Sequence, residues 1–583
     1  MTTDLPPRGS ISDMSGKPGG CGERAARPSG LEELPRFALH WLSFAVLGLL
    51  IYAPALRGQF VSDDLGYVVT NPYVHELSTG NLFAILDPRG EPALYTANWA
   101  PLHLLAHALE WRLWGPDPFG YHVVNVLLHA LAAALLAALF ARRGFSRAAS
   151  SLAGLAFLIH PANVEAVAWI FQLKTIAALA LATGALLAQP RRPWLGTLLF
   201  ALALLTKAAA LFALPVAAVF AWIARDPHDG FRAHWRWLGL WALVLVLYAS
   251  PQFFAFERLG QVDGLGSDGW AELRTIAAIG ARYLAMAATS YGTAAFHEPP
   301  RALSWLDPWW LAGLAAGALL AVRCSLALLR RSEEAAWWVW AGAAYAPISQ
   351  VFPFLYPMAD RYLYTILPGL LGAAMLVARD AWIRLERRLG PRRSALGPVS
   401  PAWIAAAAAV ALVLVFGLRS FDRARVWRSP ATVELDSVRH YPDGISASLQ
   451  RSARAAQRGD ARGAVDAARR AFELGFDRFM HFYEVPSFTA VSGDPAFRAL
   501  VAEMAGRWIE ETSRMPNPTQ ADLRVRAHAH IVRGENAEAE ALLEQALRLG
   551  GGFDAQVRAE LAQLRAALRR EEPRSAAPSS GGP

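Results

Sequence analysis

Two adjacent carboxylates, Asp63 and Asp64, follow the first long apolar run, in Phe60-Val61-Ser62-Asp63-Asp64. Such a pair can take a proton from an attacking hydroxyl or hold a divalent cation. Further along come His122, then His160-Pro161 with Glu165 shortly after, then Lys174, Lys207 and the couple Asp360-Arg361. Ammonium and guanidinium groups are the side chains that neutralise phosphate oxygens. Lysine is rare here: Lys17, Lys174 and Lys207 are the only three, and arginine supplies the rest of the positive charge. A charge at the centre of a spanning helix costs about 2.5–3.5 kcal/mol on insertion scales. Acids, histidines and cations gathered at one face of an apolar domain are therefore expected to share a site. In that site Asp63 and Asp64 are the catalytic candidates, and they would also hold a divalent cation, Mg2+ or Mn2+, if one is used. His122, His160, Glu165, Lys174, Lys207, Asp360 and Arg361 are the substrate-binding candidates.

Each residue also has a plainer reading. Asp63 and Asp64 could cap a loop helix. His160-Pro161 could only end a span, since proline stops helices. Lysines near span ends snorkel to headgroups. His122, Asn125 and His129 lie at i, i+3 and i+7, on one helix face. They either line a cleft or make hydrogen bonds between helices.

The elements that must position these groups are helical. The chain has 583 residues, 54% of them hydrophobic, and apolar runs long enough to cross a bilayer recur from about 38 to 418. The reading is all-α: a polytopic membrane domain over 37–420 with an outer loop at 57–118, then a soluble helical domain over 431–569. Residues 1–36 and 570–583, rich in Gly, Pro, Ser and Arg, are expected to be disordered. Charge bias gives eleven spans, the N-terminus inside and the C-terminal domain outside. Arg274 and Arg282 interrupt an apolar helix at 271–295, which is read as interfacial. Arg419, Arg423, Arg425 and Arg428 run against the charge rule at the outer end of the last span. The net charge of +8 is ascribed to topology, because no helix-turn-helix, zinc-finger or RNA-binding signature is present and no nucleic-acid partner is expected. Cys21 and Cys324 are too few for a disulfide framework or a cysteine zinc site.

The last third repeats itself. Gly459 and Gly534 stand 75 residues apart, as do Gly475 and Gly550, each set framed by alanines. That interval is two periods of about 34 with a short insertion, the spacing of tetratricopeptide-like helix pairs. Such arrays present a concave surface for a peptide or partner, or else brace the domain before them.

Taken in order, several motifs resemble the transmembrane and tetratricopeptide-repeat O-mannosyltransferases: Asp63-Asp64, Asn98-Trp99-Ala100-Pro101-Leu102, Tyr121-His122 with Asn125 and His129, His160-Pro161-Ala162-Asn163-Val164-Glu165, Ala359-Asp360-Arg361-Tyr362, and the helical-repeat tail. The resemblance covers about 38–378 and the tail. It implies transfer of one sugar, usually mannose, from a polyprenyl-phosphate carrier to an acceptor hydroxyl on the extracytoplasmic side. The Asp-Asp element would be catalytic or metal-binding, the His-Pro element would lie beside the donor, and Arg361 would face the donor phosphate. The chain departs from the pattern at Ala100, where the family has arginine, at Ala208, where an acid is missing after Lys207, and at Gln172-Leu173-Lys174.

The expected function is therefore an integral membrane glycosyltransferase acting by inversion. Its partners are a polyprenyl-phosphate-linked sugar, membrane lipids, and a protein or peptide met through the repeats. A non-catalytic membrane scaffold for envelope partners is the rival, and a lipid-linked glycan flippase or polymerase a third reading. The arginine usage points to a bacterial inner membrane with the repeats in the periplasm.

Overall fold

The computed structural model describes residues 30–96, 98–224, 231–256, 269–351, 356–389, 401–514 and 518–575. Every regular element among them is helical. Local chemistry starts many of these helices. Asp117 accepts from the Phe119 amide at 3.0 Å ahead of Pro118–Arg142. Ser146 accepts from Ala149 at 3.2 Å ahead of Arg147–Leu158. Asp307 accepts from Trp309 and Trp310, both at 2.9 Å, ahead of Pro308–Leu329. An oxygen-bearing cap followed by proline satisfies amides that a helix start leaves bare.

Among the described residues four helices are long and apolar enough to cross a bilayer: Pro118–Arg142, Ile170–Ala188, Pro308–Leu329 and Asp360–Arg384. Arg147–Leu158 with Pro161–Ala168, bent by 51° at the break, makes a fifth if taken as one span. Pro35–Ile51, Pro193–Thr206 and Ala208–Ile223 are apolar but shorter. Apolar runs in the sequence are thus cut into shorter helices, at His160-Pro161 and at Lys207 among other places. The ends expected to be disordered lie mostly outside the described residues; helices Gly30–Ile51 and Asp554–Ser575 reach into them.

One large core joins the apolar helices, with Tyr52, Phe140, Phe157, Trp169, Trp337, Trp340 and Leu363 inside it. Small residues let the backbones approach. A side chain at Gly154 would stand 2.9 Å from the Ala133 carbonyl. Polar groups inside this core are bonded across helices. His129 donates from Nε2 to the Leu158 carbonyl at 3.0 Å, so its Nδ1 accepts from the Tyr364 hydroxyl at 2.9 Å. Asn125 donates to the carbonyls of Val167, Trp169 and Ile170 at 3.2–3.4 Å.

Three of the awkward arginines, Arg274, Arg419 and Arg423, are engaged. On the helix Gly269–Thr289, Arg274 donates to the carbonyls of Ala302 and Leu303, both at 3.0 Å, with its guanidinium over the Trp305 ring. Arg419 donates to the Thr289 carbonyl at 2.8 Å, and Arg423 bonds Asp436 at 2.6 Å. These last two are held by local acceptors.

Beyond Val426 the chain forms helical hairpins. Ile445–Gln457 packs on Ala461–Glu473, and Gln520–Arg533 on Asn536–Leu549. Gly459 and Gly534 turn the two hairpins at φ 73° and 79°, the left-handed region that glycine enters without strain. The end of this domain folds back on the loop 57–118. Tyr73, Val74, Ile85 and Leu104 share a core with Leu523, Leu543, Phe553 and Val557. The Gly552 amide donates to the Tyr73 hydroxyl at 2.9 Å, and that hydroxyl donates to Glu91. A side chain on Gly552 would collide with the Tyr73 ring.

Glu560 fastens the final helix. Burial pulls its carboxyl up, but bonds from His528 and Arg524 outweigh this and hold it at about 2. The folded value lies below the unfolded one, about 4.3, so its contribution is fully present above that pH and is lost as pH falls toward 2. We expect Glu560→Gln to lower the stability of the repeat region by roughly 1–2 kcal/mol at neutral pH, and the gap to close near pH 2. Thermal unfolding followed by circular dichroism across that range checks it; an unchanged gap would remove the assignment.

Candidate active site

Asp64 is fully buried and acts on backbone. Its carboxylate accepts from the Val61 amide at 2.8 Å and from the Phe171 amide at 2.7 Å. The Trp169 indole donates to the Val61 carbonyl at 3.1 Å, closing the same clasp. Burial pushes the Asp64 carboxyl well above the usual carboxylate range, and the two amides work against that shift. Ser62, one residue before the doublet, is held at φ 50°, a left-handed conformation that a non-glycine residue adopts at a cost of about 1–3 kcal/mol.

Asp63 is the half-buried member of the pair. Its carbonyl accepts from the Tyr67 amide at 2.9 Å, while its carboxylate lies in electrostatic reach of Lys174 and Tyr356. So the two aspartates divide: Asp64 fixes the loop and Asp63 faces the charges.

The facing charges come from three elements. Lys174 Nζ lies 3.7 Å from the Phe171 ring centre and 5.1 Å from that of Tyr67. Lys207 donates to the Thr175 hydroxyl at 2.6 Å, and Thr175 to Gln172 at 2.6 Å. Arg361 donates its amide to Glu165 at 2.7 Å and its guanidinium to the other carboxylate oxygen of Glu165. The rings of Trp169, Tyr356 and Tyr362 surround that guanidinium at 5.0–5.3 Å. Lys174, Lys207 and Arg361 all act on one another electrostatically. Three cations and two carboxylates, Asp63 and Glu165, thus form one cluster. A phosphate entering among them would meet both ammonium groups and a guanidinium already oriented by Glu165.

Three other candidates make their nearest contacts elsewhere, although Asp360 is within electrostatic reach of Glu165. His160 caps the break in its helix: Nδ1 accepts from the Ala162 amide at 3.2 Å and Nε2 donates to the Ala287 carbonyl at 3.0 Å. Asp360 turns from Arg361 toward His297, at 2.7 Å, and the Ala294 amide, at 3.4 Å. His122 is buried against Gly58, whose missing side chain leaves it room. Each oxygen of Asp64 receives one amide proton, from Val61 and from Phe171. Among the described residues no three His, Cys, Asp or Glu side chains are grouped to hold a metal.

Reading the sequence for charges missed the aromatic walls, Tyr67, Phe171, Trp169, Tyr356 and Tyr362. It also missed His103, His107 and Glu110, all buried on the helix Pro101–Trp114. Their spacing, i, i+4 and i+7, is a helix-face signal present in the chain.

The clasp predicts an asymmetry between the aspartates. Asp64→Ala leaves two buried amides without partners and should lower stability by about 2–4 kcal/mol, whereas Asp63→Ala should change it by under about 1 kcal/mol. Thermal unfolding of the solubilised chain measures both; equal losses would contradict the division.

The comparisons with known proteins agree with the motifs. The chain is 35% identical over 127 residues to the protein O-mannosyl-transferase TMTC1 of Mus musculus, a stretch that covers 21% of this chain and 13% of that protein. It is 32% identical over 127 residues to Tmtc1 of Drosophila melanogaster, covering 21% and 15%, and 32% identical over 158 residues to TMTC1 of Homo sapiens, covering 26% and 18%. The matches thus span less than a fifth of each of these relatives. No family model and no solved structure matches the chain. Over the matched stretch, the chain is similar to the protein O-mannosyl-transferases, the family that its motifs resemble.

Proposed function

We propose that this protein is an integral membrane glycosyltransferase that moves one sugar, mannose, from a polyprenyl-phosphate carrier to an acceptor hydroxyl. The observation that carries the reading is the cluster of Asp63, Glu165, Lys174, Lys207 and Arg361, drawn from separate elements of an apolar core. Similarity to named O-mannosyl-transferases supports the same reaction class. In this reading Lys174 and Lys207 hold the donor phosphate, and Arg361, held by Glu165, borders it. Asp63 takes the proton of the acceptor hydroxyl. The acceptor oxygen bonds to the anomeric carbon as the bond from that carbon to the phosphate oxygen breaks, which inverts the centre and leaves the phosphate on its carrier. The repeat domain, docked on the loop that bears Asp63, presents a protein or peptide acceptor through tetratricopeptide-like hairpins. In this reading the chain crosses the membrane eleven times, and this face lies outside, in the periplasm of a bacterial inner membrane.

A purified full-length sample, supplied with polyprenyl-phosphate mannose and an acceptor peptide, tests this. Transfer should fall by about 10²–10⁴-fold in Asp63→Asn with the fold intact. A variant that transfers at the full rate would end the case for Asp63 as base. Lys207→Ala removes one charge-assisted bond, about 1.5–3 kcal/mol, and should raise the donor KM roughly 10- to 100-fold with a smaller change in kcat. An unchanged donor KM would take Lys207 off the phosphate.

A further inference from the structure

Glu110, His107 and His103 form a continuous chain of hydrogen bonds inside the loop 57–118. Glu110 Oε2 lies 2.7 Å from His107 Nδ1, and His107 Nε2 lies 2.9 Å from His103 Nε2. Exposure is 0% for both histidines and 5% for Glu110. Each end of the chain is open. Glu110 Oε1 is buried without a hydrogen bond, and His103 Nδ1 lies beside the Phe171 backbone without a formed bond. The His103 ring packs on Tyr67 and Phe171, each at 5.6 Å between centres, and these are the two rings that carry the Lys174 ammonium.

We propose that these three residues are a proton relay that opens onto Lys174 and stores that lysine's proton on Glu110 while no anion occupies the site. The inference rests on the donor-phosphate reading of Lys174. The transfer is balanced. A Lys174 N–H bond breaks as His103 Nδ1–H forms; His103 Nε2–H breaks as His107 Nε2–H forms; His107 Nδ1–H breaks as the Glu110 O–H forms. An ammonium and a carboxylate become an amine and a carboxylic acid, and no proton is exchanged with water. Two buried charges are removed together, each of which costs several kcal/mol to bury unpaired. A bare second oxygen on Glu110 fits a neutral acid better than an anion, which would call for donors at both oxygens. When a phosphate anion enters, the same hops run backward and restore the ammonium that binds it.

The neighbouring titratable groups set the balance. Lys174 and Lys207 face His103, as does the Tyr67 ring, and Tyr121 faces Glu110. Burial, and then His107 and Lys174, hold the His103 imidazole well below its ordinary value, so it passes a proton on without keeping it. Burial raises the Glu110 carboxyl, against the bond from His107.

Infrared difference spectroscopy on the detergent-solubilised full-length protein tests the relay. At neutral pH the ligand-free protein should show a carboxylic-acid carbonyl band that is missing in Glu110→Gln. Adding a methyl isoprenyl phosphodiester, which has no titration near neutrality, should abolish that band in the unaltered protein. His107→Phe, which cuts the chain in the middle, should leave the band insensitive to the diester. Absence of any Glu110-dependent band overturns the relay, as does a band that persists when the diester is shown by calorimetry to bind. If the diester fails to bind while the Glu110 band is present at neutral pH, the donor reading falls, and a band that persists unchanged in Lys174→Gln overturns the relay. Glu110→Asp, which keeps the acid, should retain a diester-sensitive band and controls for a fold lost in the glutamine variant.

Discussion

A chain that leaves the helix inside an apolar layer must find partners for every amide and carbonyl it exposes, because no water is there to take them. In the main core the short helix Val164–Ala168 stops at Trp169, which is extended, before the turn Ile170–Gln172 leads into the next helix. Asn125, from the helix Pro118–Arg142, donates to three carbonyls of this stretch, and Asp64, from the first loop, accepts one of its amides. The rest of the cluster depends on that arrangement. Glu165 sits at its start and reaches Arg361, Trp169 lines the guanidinium, and Phe171 with Lys174 forms its far end. The Trp169 indole, bonded to the Val61 carbonyl, holds the same break.

The charges obey a second constraint. Glu165 is 1% and Arg361 is 7% exposed, and a buried pair is costly unless its geometry is well satisfied. Here the carboxylate takes both the Arg361 amide and its guanidinium, and aromatic faces cover the cation. Lys174 and Lys207 have no carboxylate bonded to them among the described residues; an aromatic wall and a hydroxyl meet them instead. That contrast gives the cluster a fixed side and an adaptable side, the latter suited to an anion that comes and goes.

The helical hairpins beyond Val426 are built into the same arrangement. Asp436 accepts from Arg423 and from the Ala295 amide, and Arg423 also stands 3.9 Å from Asp360. At the other end Gly552 and Phe553 close on Tyr73 and its neighbours. The loop that bears Asp63 is thus gripped between the apolar core and the last hairpin. Arg478, among the helices beyond Val426, comes within electrostatic reach of Tyr356 beside Arg361. Movement of the hairpins would be felt at the cluster through these contacts.

Much of this was legible in the residue order. Apolar runs and turn glycines announced an all-helical chain, because helix period and turn chemistry are local properties. The rarity of lysine singled out Lys174 and Lys207, and the motif order pointed to the transferases it resembles. What the sequence could not show was which polar groups are engaged by backbone. Asp64 and His160 look like chemistry in one dimension, yet they cap and clasp the broken segment, a demand that exists only once that segment is placed inside the core. Asp360 turns toward His297 for the same kind of reason, since a helix start offers its side chain to whichever loop packs there. The His103–His107–Glu110 chain and the aromatic walls were equally hidden, because burial and the meeting of distant rings are fixed by tertiary packing and not by local order.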